Sequence, residues 1–147
     1  MTVFNYQKDA QGIVTITMDM TGPVNTVNDE FYDVMLDTVF KLEKEDNLTG
    51  VIFTSAKKTF FAGGDIKMLM ALQPGEEDKI FDVVEANKKL FRRLELLPVP
   101  VVSAINGAAL GGGFELALSC NYRVAINARH LEVGLPEVSL GLLPGAG

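Results

Sequence analysis

Strand-like and helix-like segments alternate along this chain, and that order restricts the folds it can adopt. Residues 13–20, IVTITMDM, alternate apolar and polar side chains, which is the period of a half-buried strand, and we expect this strand to open the domain. Asn28 is the expected N-cap of a following helix, whose apolar residues recur at helical spacing: Phe31, Met35, Val39 and Leu42. The run VIFTSA after Gly50 suits a strand that is covered on both faces.

The second half of the chain repeats this order. After a glycine-containing loop, residues 65–72, DIKMLMAL, favour a helix, and another helical pattern starts at Glu76. The face of that second helix consists of Ile80, Val83, Val84, Asn87, Leu90, Phe91 and Leu94. Pro98 and Pro100 forbid its continuation and lead into the strand VVSAI. A helix in FELALSC and a strand in YRVAI follow, so the sequence predicts an α/β domain with mostly parallel strands and right-handed crossovers.

Length and composition favour a single domain. The chain has 147 residues, of which 48% are hydrophobic, and this is enough to bury one core of ordinary size. We therefore assign residues 1–147 to one domain. The chain ends in the turn sequence PGAG, at which a compact domain has no physical reason to stop, so we expect the domain to continue beyond it.

Charge and cysteine content argue against several classes of function. The formal net charge of −6 opposes non-specific binding to nucleic acid or to an anionic membrane. Cys120 is the only cysteine and His130 the only histidine, so no disulfide can form within the chain and no metal site is expected. The first residues have no secretory or mitochondrial leader pattern, and no apolar run reaches membrane-spanning length. These features predict a soluble, cytoplasmic protein.

The first candidate site is the loop from Phe60 to Lys67, FFAGGDIK, which follows a predicted buried strand. Adjacent glycines let the backbone adopt positive φ and approach a ligand closely, and such a loop can present bare N–H groups. A plain strand-to-helix turn with Asp65 as its N-cap explains the same residues. This loop alone therefore does not distinguish a binding site from a structural turn.

A second glycine-rich loop, GAALGGGFE from Gly107 to Glu115, lies between a predicted strand and a predicted helix. Three consecutive glycines are conformationally costly, and a helix N-terminus offers unpaired N–H donors at the positive end of its dipole. An oxyanion or a phosphate suits that position. The spacing matches neither the dinucleotide motif GxGxxG nor the phosphate loop GxxxxGK[ST]. Glu115 either complements the helix dipole or, among its apolar neighbours, takes part in a reaction.

A second carboxylate, Glu137, lies in the apolar run GLPEV. Two carboxylates in a partly desolvated pocket can hold different protonation states, which general acid–base catalysis requires. A glycosidase could use a similar pair, but the chain has no tryptophan and few aromatic residues to stack on a sugar. The pair therefore favours acid–base chemistry on another class of substrate.

Three stretches of the chain resemble a known family. They are FAGGDIKML, PVVSAINGAALGGGFELAL and GLPEVSLGLLPGAG, and they occur in the order that is typical of the crotonase (enoyl-CoA hydratase/isomerase) superfamily. The resemblance covers essentially the whole chain and looks most like the N-terminal hydratase module of bacterial multifunctional fatty-acid oxidation complex alpha subunits. It implies the crotonase-like (ClpP/crotonase) fold of stacked ββα units, incomplete here at the C-terminus.

The resemblance also implies roles for individual positions. Glu115 and Glu137 match the family's two catalytic glutamates, and the N–H groups of Gly64 and Gly112 match its oxyanion hole. Gly145 matches a glycine near the reacting water. The residues that match the coenzyme A site are Ala62, Gly64, Asp65, Ile66, Lys67 and Gly112.

The activity implied by the resemblance is that of an enoyl-CoA hydratase, a lyase that adds water to trans-2-enoyl-CoA thioesters in fatty-acid β-oxidation. No metal or redox cofactor is implied, since coenzyme A is part of the substrate. Isomerisation of a 3-enoyl to a 2-enoyl thioester and a non-catalytic acyl-CoA-binding or assembly role are alternatives. The family also implies a homo-oligomer or a fatty-acid oxidation complex with a thiolase, without nucleic-acid binding or membrane insertion.

Overall fold

Strands and helices alternate along the chain as the sequence predicts. The computed structural model describes residues 3–66, 70–71, 73–129 and 131–145. The strands are β1 (Phe4–Lys8), β2 (Ile13–Met18), β3 (Gly50–Ser55), β4 (Val101–Ile105), β5 (Ala109–Leu110), β6 (Tyr122–Ala125) and β7 (Val133–Gly134). The helices are α1 (Asp29–Glu43), α2 (Glu77–Glu95), α3 (Gly112–Leu118) and a 3₁₀ helix (Pro136–Leu140). Much of the predicted helix at 65–72, including Lys67, lies outside the described residues, as does His130.

The main sheet has the strand order β1-β2-β3-β4-β6. Strands β2, β3, β4 and β6 pair in parallel, as predicted, whereas β1 pairs antiparallel with β2. The prediction that residues 13–20 open the domain is wrong, because β1 precedes them and forms an edge of the sheet. Of the five residues of β1, FNYQK, only the first is buried, so this strand lacks the alternation that marks β2. Strands β5 and β7 form a separate parallel pair.

The core forms between the main sheet and helices α1 and α2. Asn28 is the N-cap of α1, since its Oδ1 accepts a hydrogen bond of 2.9 Å from the N–H of Phe31. All four apolar positions predicted for α1 are buried. The Phe31 ring makes edge-on contacts with Phe4, Phe61 and Phe91 at centroid distances of 6.3, 5.1 and 6.3 Å. This aromatic cluster ties the sheet, both long helices and the first glycine-rich loop together.

Two parts of the fold are less covered than the sequence suggests. β3 is not fully covered on both faces, because its side chains alternate between buried and half-buried. Only the second half of α2 is buried in the core, and Val83 in its first half is 41% exposed. None of the described helices is both long and apolar enough to cross a membrane.

β6 is the other edge of the main sheet, and all four of its residues are exposed. Since neighbouring residues of a strand point to opposite faces, β6 is uncovered on both sides. Its apolar side chains Tyr122 and Val124 are 64% and 62% exposed. This edge is therefore the least protected part of the described sheet.

Candidate active site

The loop after β3 is held by the short segment that precedes α1. The N–H of Val27 donates to the carbonyl of Gly63 (2.9 Å), and the N–H of Asp65 donates to the carbonyl of Val27 (3.1 Å). These two bonds form a parallel bridge between Val27 and Gly64. In such a bridge the flanking residues make the hydrogen bonds, and the N–H of Gly64 points away from Val27. Gly63 has a φ of +91°, which glycine adopts readily. The loop thus presents the Gly64 N–H away from the segment that holds it.

Asn25 fixes the beginning of the same loop. Its side chain is fully buried, and its Oδ1 accepts a hydrogen bond of 3.0 Å from the N–H of Met20. Its Nδ2 donates to Ser55 Oγ (2.9 Å) and to the carbonyl of Phe60 (3.1 Å). Its own carbonyl accepts from the N–H of Ala62 (2.9 Å). One asparagine therefore joins the ends of β2 and β3 to the loop and limits the movement of Gly64.

The second glycine-rich loop leads into α3. Gly111 is the N-cap of this helix with a φ of +52°, and its N–H donates to the carbonyl of Gly134 (2.9 Å). Its carbonyl accepts from the N–H groups of Phe114 (2.8 Å) and Glu115 (3.0 Å). Gly112 is the first residue of the helix, where a backbone N–H has no acceptor within the helix. The Gly112 N–H can therefore donate to a ligand.

The two loops pack backbone against backbone. A Cβ placed on Gly113 would lie 2.5 Å from the Cβ of Phe61 and 2.7 Å from the carbonyl oxygen of Phe61. A Cβ placed on Gly63 would lie 3.0 Å from the carbonyl oxygen of Leu110. Any larger residue at Gly113 would force these segments apart. The predicted glycine-rich loops thus belong to one site, and their glycines make that contact possible.

Glu137 reaches this site from the 3₁₀ helix. A Cβ placed on Gly111 would lie 2.6 Å from Glu137 Oε1 and 3.6 Å from the Cα of Gly63. Glu137 Oε2 is buried and accepts no hydrogen bond from any residue that the structure describes. Burying a polar atom without a partner costs free energy, so such an atom needs an explanation, and a functional site is one. Glu137 is therefore a candidate for contact with a water molecule or a substrate.

Glu115 lies in the first turn of α3 and is only 7% exposed. A Cβ placed on Gly112 would lie 3.9 Å from Glu115 Oε2 and 2.9 Å from Val27 Cγ2. The consecutive glycines 111 and 112 thus each face one of the two carboxylates. The structure brings together both predicted glutamates and both predicted glycine N–H donors, from three separate parts of the chain.

The predicted coenzyme A segment lies at the surface beside this site. Ala62 and Gly64 are exposed, Asp65 is half-buried and Ile66 is 52% exposed. A Cβ placed on Gly64 would meet no atom within 4 Å, so the space next to this residue is open. A large ligand can therefore approach Gly64, whereas the predicted contact with Lys67 lies outside the described residues.

The role predicted for Gly145, that of a residue near the reacting water, stays a prediction. This glycine is exposed, and a Cβ placed on it would lie 3.6 Å from Val84 Cγ1 of α2. This contact places the end of the described chain against the first half of α2.

A cavity of about 250 Å³ lies beside the site, between the start of α1 and helix α2. Its wall includes Val27, Tyr32, Val83, Ala86 and Asn87. A second cavity of about 240 Å³ shares Tyr32 and Ala86 and continues along the two helices. The two cavities therefore lie side by side between α1 and α2.

Among the described residues outside this site there is neither a metal-binding group nor a reactive cysteine. Within the described ranges, no group of three or more His, Cys, Asp and Glu side chains is placed to hold a metal ion. Cys120 is buried, and burial raises the pKa of its thiol to about 12. The thiol therefore stays protonated near neutral pH, as expected for a cysteine that fills the core.

The sequence matches the family model described as enoyl-CoA hydratase/isomerase over residues 8–147. The chain belongs to this family. The chain shares the crotonase-like fold of solved structures of this family, as predicted. An enoyl-CoA hydratase from Bacillus anthracis superposes with a TM-score of 0.86 at 31% identity, covering 99% of this chain and 55% of that one. An enoyl-CoA hydratase from Thermoplasma volcanium gives a TM-score of 0.86 at 28% identity, covering 100% and 56%.

Among curated members of the family, the chain is similar to fatty acid oxidation complex alpha subunits. The subunit from Shewanella halifaxensis is 42% identical over 146 residues, and that from Idiomarina loihiensis is 40% identical over 146 residues. Each alignment covers 98% of this chain and 20% of the relative. The chain thus spans about one fifth of the length of these relatives.

Sequence reasoning missed two residues on which the site depends. Asn25 and Val27 lie in the short segment PVNTV between β2 and α1, which has neither a helical nor a strand period. The only local cue is a polar asparagine among valines and a proline. Their partners in and next to the first glycine-rich loop lie 30 or more positions away along the chain, so only the folded structure reveals their roles.

Proposed function

We propose that this protein adds water to the double bond of trans-2-enoyl-CoA thioesters, as an enoyl-CoA hydratase of fatty-acid β-oxidation. The observation that carries this proposal is the placement of two carboxylates at consecutive glycines, Glu137 beside Gly111 and Glu115 beside Gly112. Membership of the enoyl-CoA hydratase/isomerase family supports the same activity. The names of the curated relatives support a place in fatty-acid oxidation.

In this proposal the N–H groups of Gly64 and Gly112 bind the carbonyl oxygen of the thioester. Addition of water to carbon 3 develops negative charge on that oxygen, as in an enolate. Donors that are fixed before the reaction stabilise this charge more than they stabilise the neutral substrate. Backbone hydrogen bonds hold both loops in place, so the donors need little reorganisation.

The two glutamates divide the proton transfers. One carboxylate takes a proton from water while the water oxygen bonds to carbon 3, and a carboxyl group delivers a proton to carbon 2. The sum is the addition of one water molecule. Glu137 suits contact with the water because its buried Oε2 has no partner among the described residues. Glu115, nearly buried in the first turn of α3, is the second group of the pair.

The segment Ala62–Lys67 is the proposed contact for coenzyme A, with Gly112 at the thioester and Gly145 near the reacting water. Coenzyme A is then part of the substrate and product, and the reaction needs no further cofactor. We also propose that the protein acts in solution in the cytoplasm. Assembly as a homo-oligomer, or within a fatty-acid oxidation complex that contains a thiolase, is part of the same proposal.

The direct test is to give the purified protein a trans-2-enoyl-CoA. Hydration removes the absorbance of the conjugated enoyl thioester and produces a 3-hydroxyacyl-CoA that chromatography resolves from the substrate. A 3-enoyl-CoA tests the alternative isomerase activity, which needs one base and the same donors. Conversion of the 3-enoyl thioester alone would favour the isomerase, and binding without either reaction would favour the non-catalytic role.

Gly64→Ala is expected to lower kcat/KM for hydration about 100-fold while leaving the free energy of unfolding within about 1 kcal/mol of the parent value. The added methyl group enters open space without strain, but that space is where the thioester must approach the N–H donor. Steady-state kinetics and urea unfolding measure the two effects. Gly50→Ala is the control, because its methyl group meets only the carbonyl oxygen of Pro100 at 3.6 Å. Normal hydration by Gly64→Ala would place the oxyanion donor elsewhere.

A further inference from the structure

Helix α3 is short, yet it carries two of the groups proposed to act on the substrate. Gly112 and Glu115 both lie in its first turn, and the helix has only seven residues, Gly112–Leu118. A helix of this length is not stable through its own hydrogen bonds, so its position depends on contacts with the rest of the protein. Whatever holds α3 therefore also holds the Gly112 N–H and the Glu115 carboxylate.

The start and the middle of α3 are held by the core. Gly113 packs on the backbone of Phe61, and Leu116 and Ala117 are fully buried. The end of the helix differs, since its last carbonyl groups have no partner within the helix. The last turn of α3, which the structure describes completely, contains no basic residue. A cation that complements the negative end of this helix must therefore come from another part of the chain.

Arg123 of β6 supplies that cation. Its Nη1 donates to the carbonyl of Ala117 (3.3 Å), in the last turn of α3, and to the carbonyl of Cys120 (2.8 Å), just after it. The backbone of Arg123 is fixed in turn, because it pairs in register with Ser103 of β4, which is fully buried. The guanidinium thus ties the end of α3 to the main sheet.

We propose that Arg123 is a positioning residue for hydration. By holding the end of α3 against β6, it keeps the Gly112 N–H and the Glu115 carboxylate where the reacting thioester needs them. The inference rests on the proposed function and adds a residue to it. Arg123 acts through α3 and not on the substrate, because its contacts with the helix lie about 8 Å or more from Gly112 along the helix axis.

Loss of this link is expected to affect turnover more than binding. The proposed contact for coenzyme A is the segment Ala62–Lys67, which Asn25 and Val27 hold independently of Arg123. The groups on α3, by contrast, act on charge and protons that are transferred in the transition state. A misplacement of such groups by about 1 Å can cost about 100-fold in rate. A partly released helix end should therefore lower kcat and leave KM nearly unchanged.

The test measures hydration of a trans-2-enoyl-CoA by variants of Arg123. Arg123→Gln removes the charge and shortens the side chain, so it should lower kcat about tenfold and change KM by less than about twofold. Arg123→Lys keeps a cation that can donate to the same carbonyls, so it should return kcat to within about threefold of the parent value. Each rate is measured at two protein concentrations, so that association through the β6 edge does not enter the comparison.

Arg93→Gln is the matched control, because the guanidinium of Arg93 also joins two elements of the fold. Its Nε and Nη2 donate to the Glu43 carboxylate (2.9 and 2.8 Å), which links the ends of α1 and α2. This variant breaks a link of the same kind outside the site. It should keep the parent kcat, whatever it does to the midpoint of urea unfolding.

A parent-like kcat from folded Arg123→Gln, or an equal fall in kcat for Arg93→Gln, would overturn the inference. So would an Arg123→Lys variant that is as slow as Arg123→Gln. If Arg123→Gln does not fold, Arg123→Met, which keeps a long unbranched side chain without a donor, is measured in its place with the same expected result. Failure of the parent protein to hydrate any 2-enoyl-CoA would instead contradict the proposed function, and the inference with it.

Discussion

Glu137→Gln and Glu115→Gln are each expected to lower kcat for enoyl-CoA hydration by about 10²–10⁴-fold, the usual contribution of a positioned acid or base. Glutamine keeps the size and shape of glutamate, but its amide neither takes a proton from water nor delivers one to carbon. Binding of the acyl-CoA ester and the far-ultraviolet circular dichroism spectrum should remain those of the parent protein. The two effects should not multiply in the double variant if the carboxylates act as a unit.

Glu132→Gln is the control for these two variants. Its side chain is exposed just before β7, in the same stretch as Glu137, and it is not part of the proposed site. This variant should hydrate the substrate at the parent rate. Parent-like turnover by Glu115→Gln or Glu137→Gln would remove that residue from the mechanism.

Gly113→Ala is expected to lower the free energy of unfolding by about 3 kcal/mol or more, or to prevent folding. In an ordinary helix this change stabilises the protein, because alanine has the higher helix propensity. Here the added Cβ would lie 2.5 Å from the Cβ of Phe61 and 2.7 Å from its carbonyl oxygen. No side-chain rotation relieves contacts of a backbone atom and a Cβ. The loop must move instead, and with it the Phe61 ring that packs on Phe31.

Urea unfolding of Gly113→Ala beside Gly64→Ala tests this prediction, since the second change adds the same methyl group in open space. The difference in midpoint between the two variants isolates the cost of forcing the loops apart. Equal midpoints would show that the backbones do not approach as closely as the structure indicates.

Local patterns in the sequence predict those elements that carry a clear period. The alternation of β2, the Asn28 cap of α1 and the strand after Pro100 are all confirmed, because each depends on neighbours within a few residues. β1 was missed because its exposed, mostly polar residues carry no such alternation.

The site could be predicted only in part. The glycine and glutamate motifs predict its chemical groups, and the family resemblance predicts that they meet. The resemblance does not assign positive φ to Gly63 and Gly111, the residues just before the two proposed donors. Nor does any local pattern show that Asn25 and Val27 hold the first loop, because their partners are distant in the sequence. Long-range pairing of this kind leaves no trace in the periodicity of a short segment.

The open edge at β6 has a consequence for handling the protein in solution. Sheet edges are usually blunted by charge, proline, a bulge or a covering segment, and among the four residues of β6 only Arg123 provides such protection. The rate at which two copies associate through this edge rises with the square of the protein concentration, whereas the rate of unfolding rises only in proportion to it. Association through this edge is therefore expected to increase with protein concentration, and dilute samples favour a single copy of the chain.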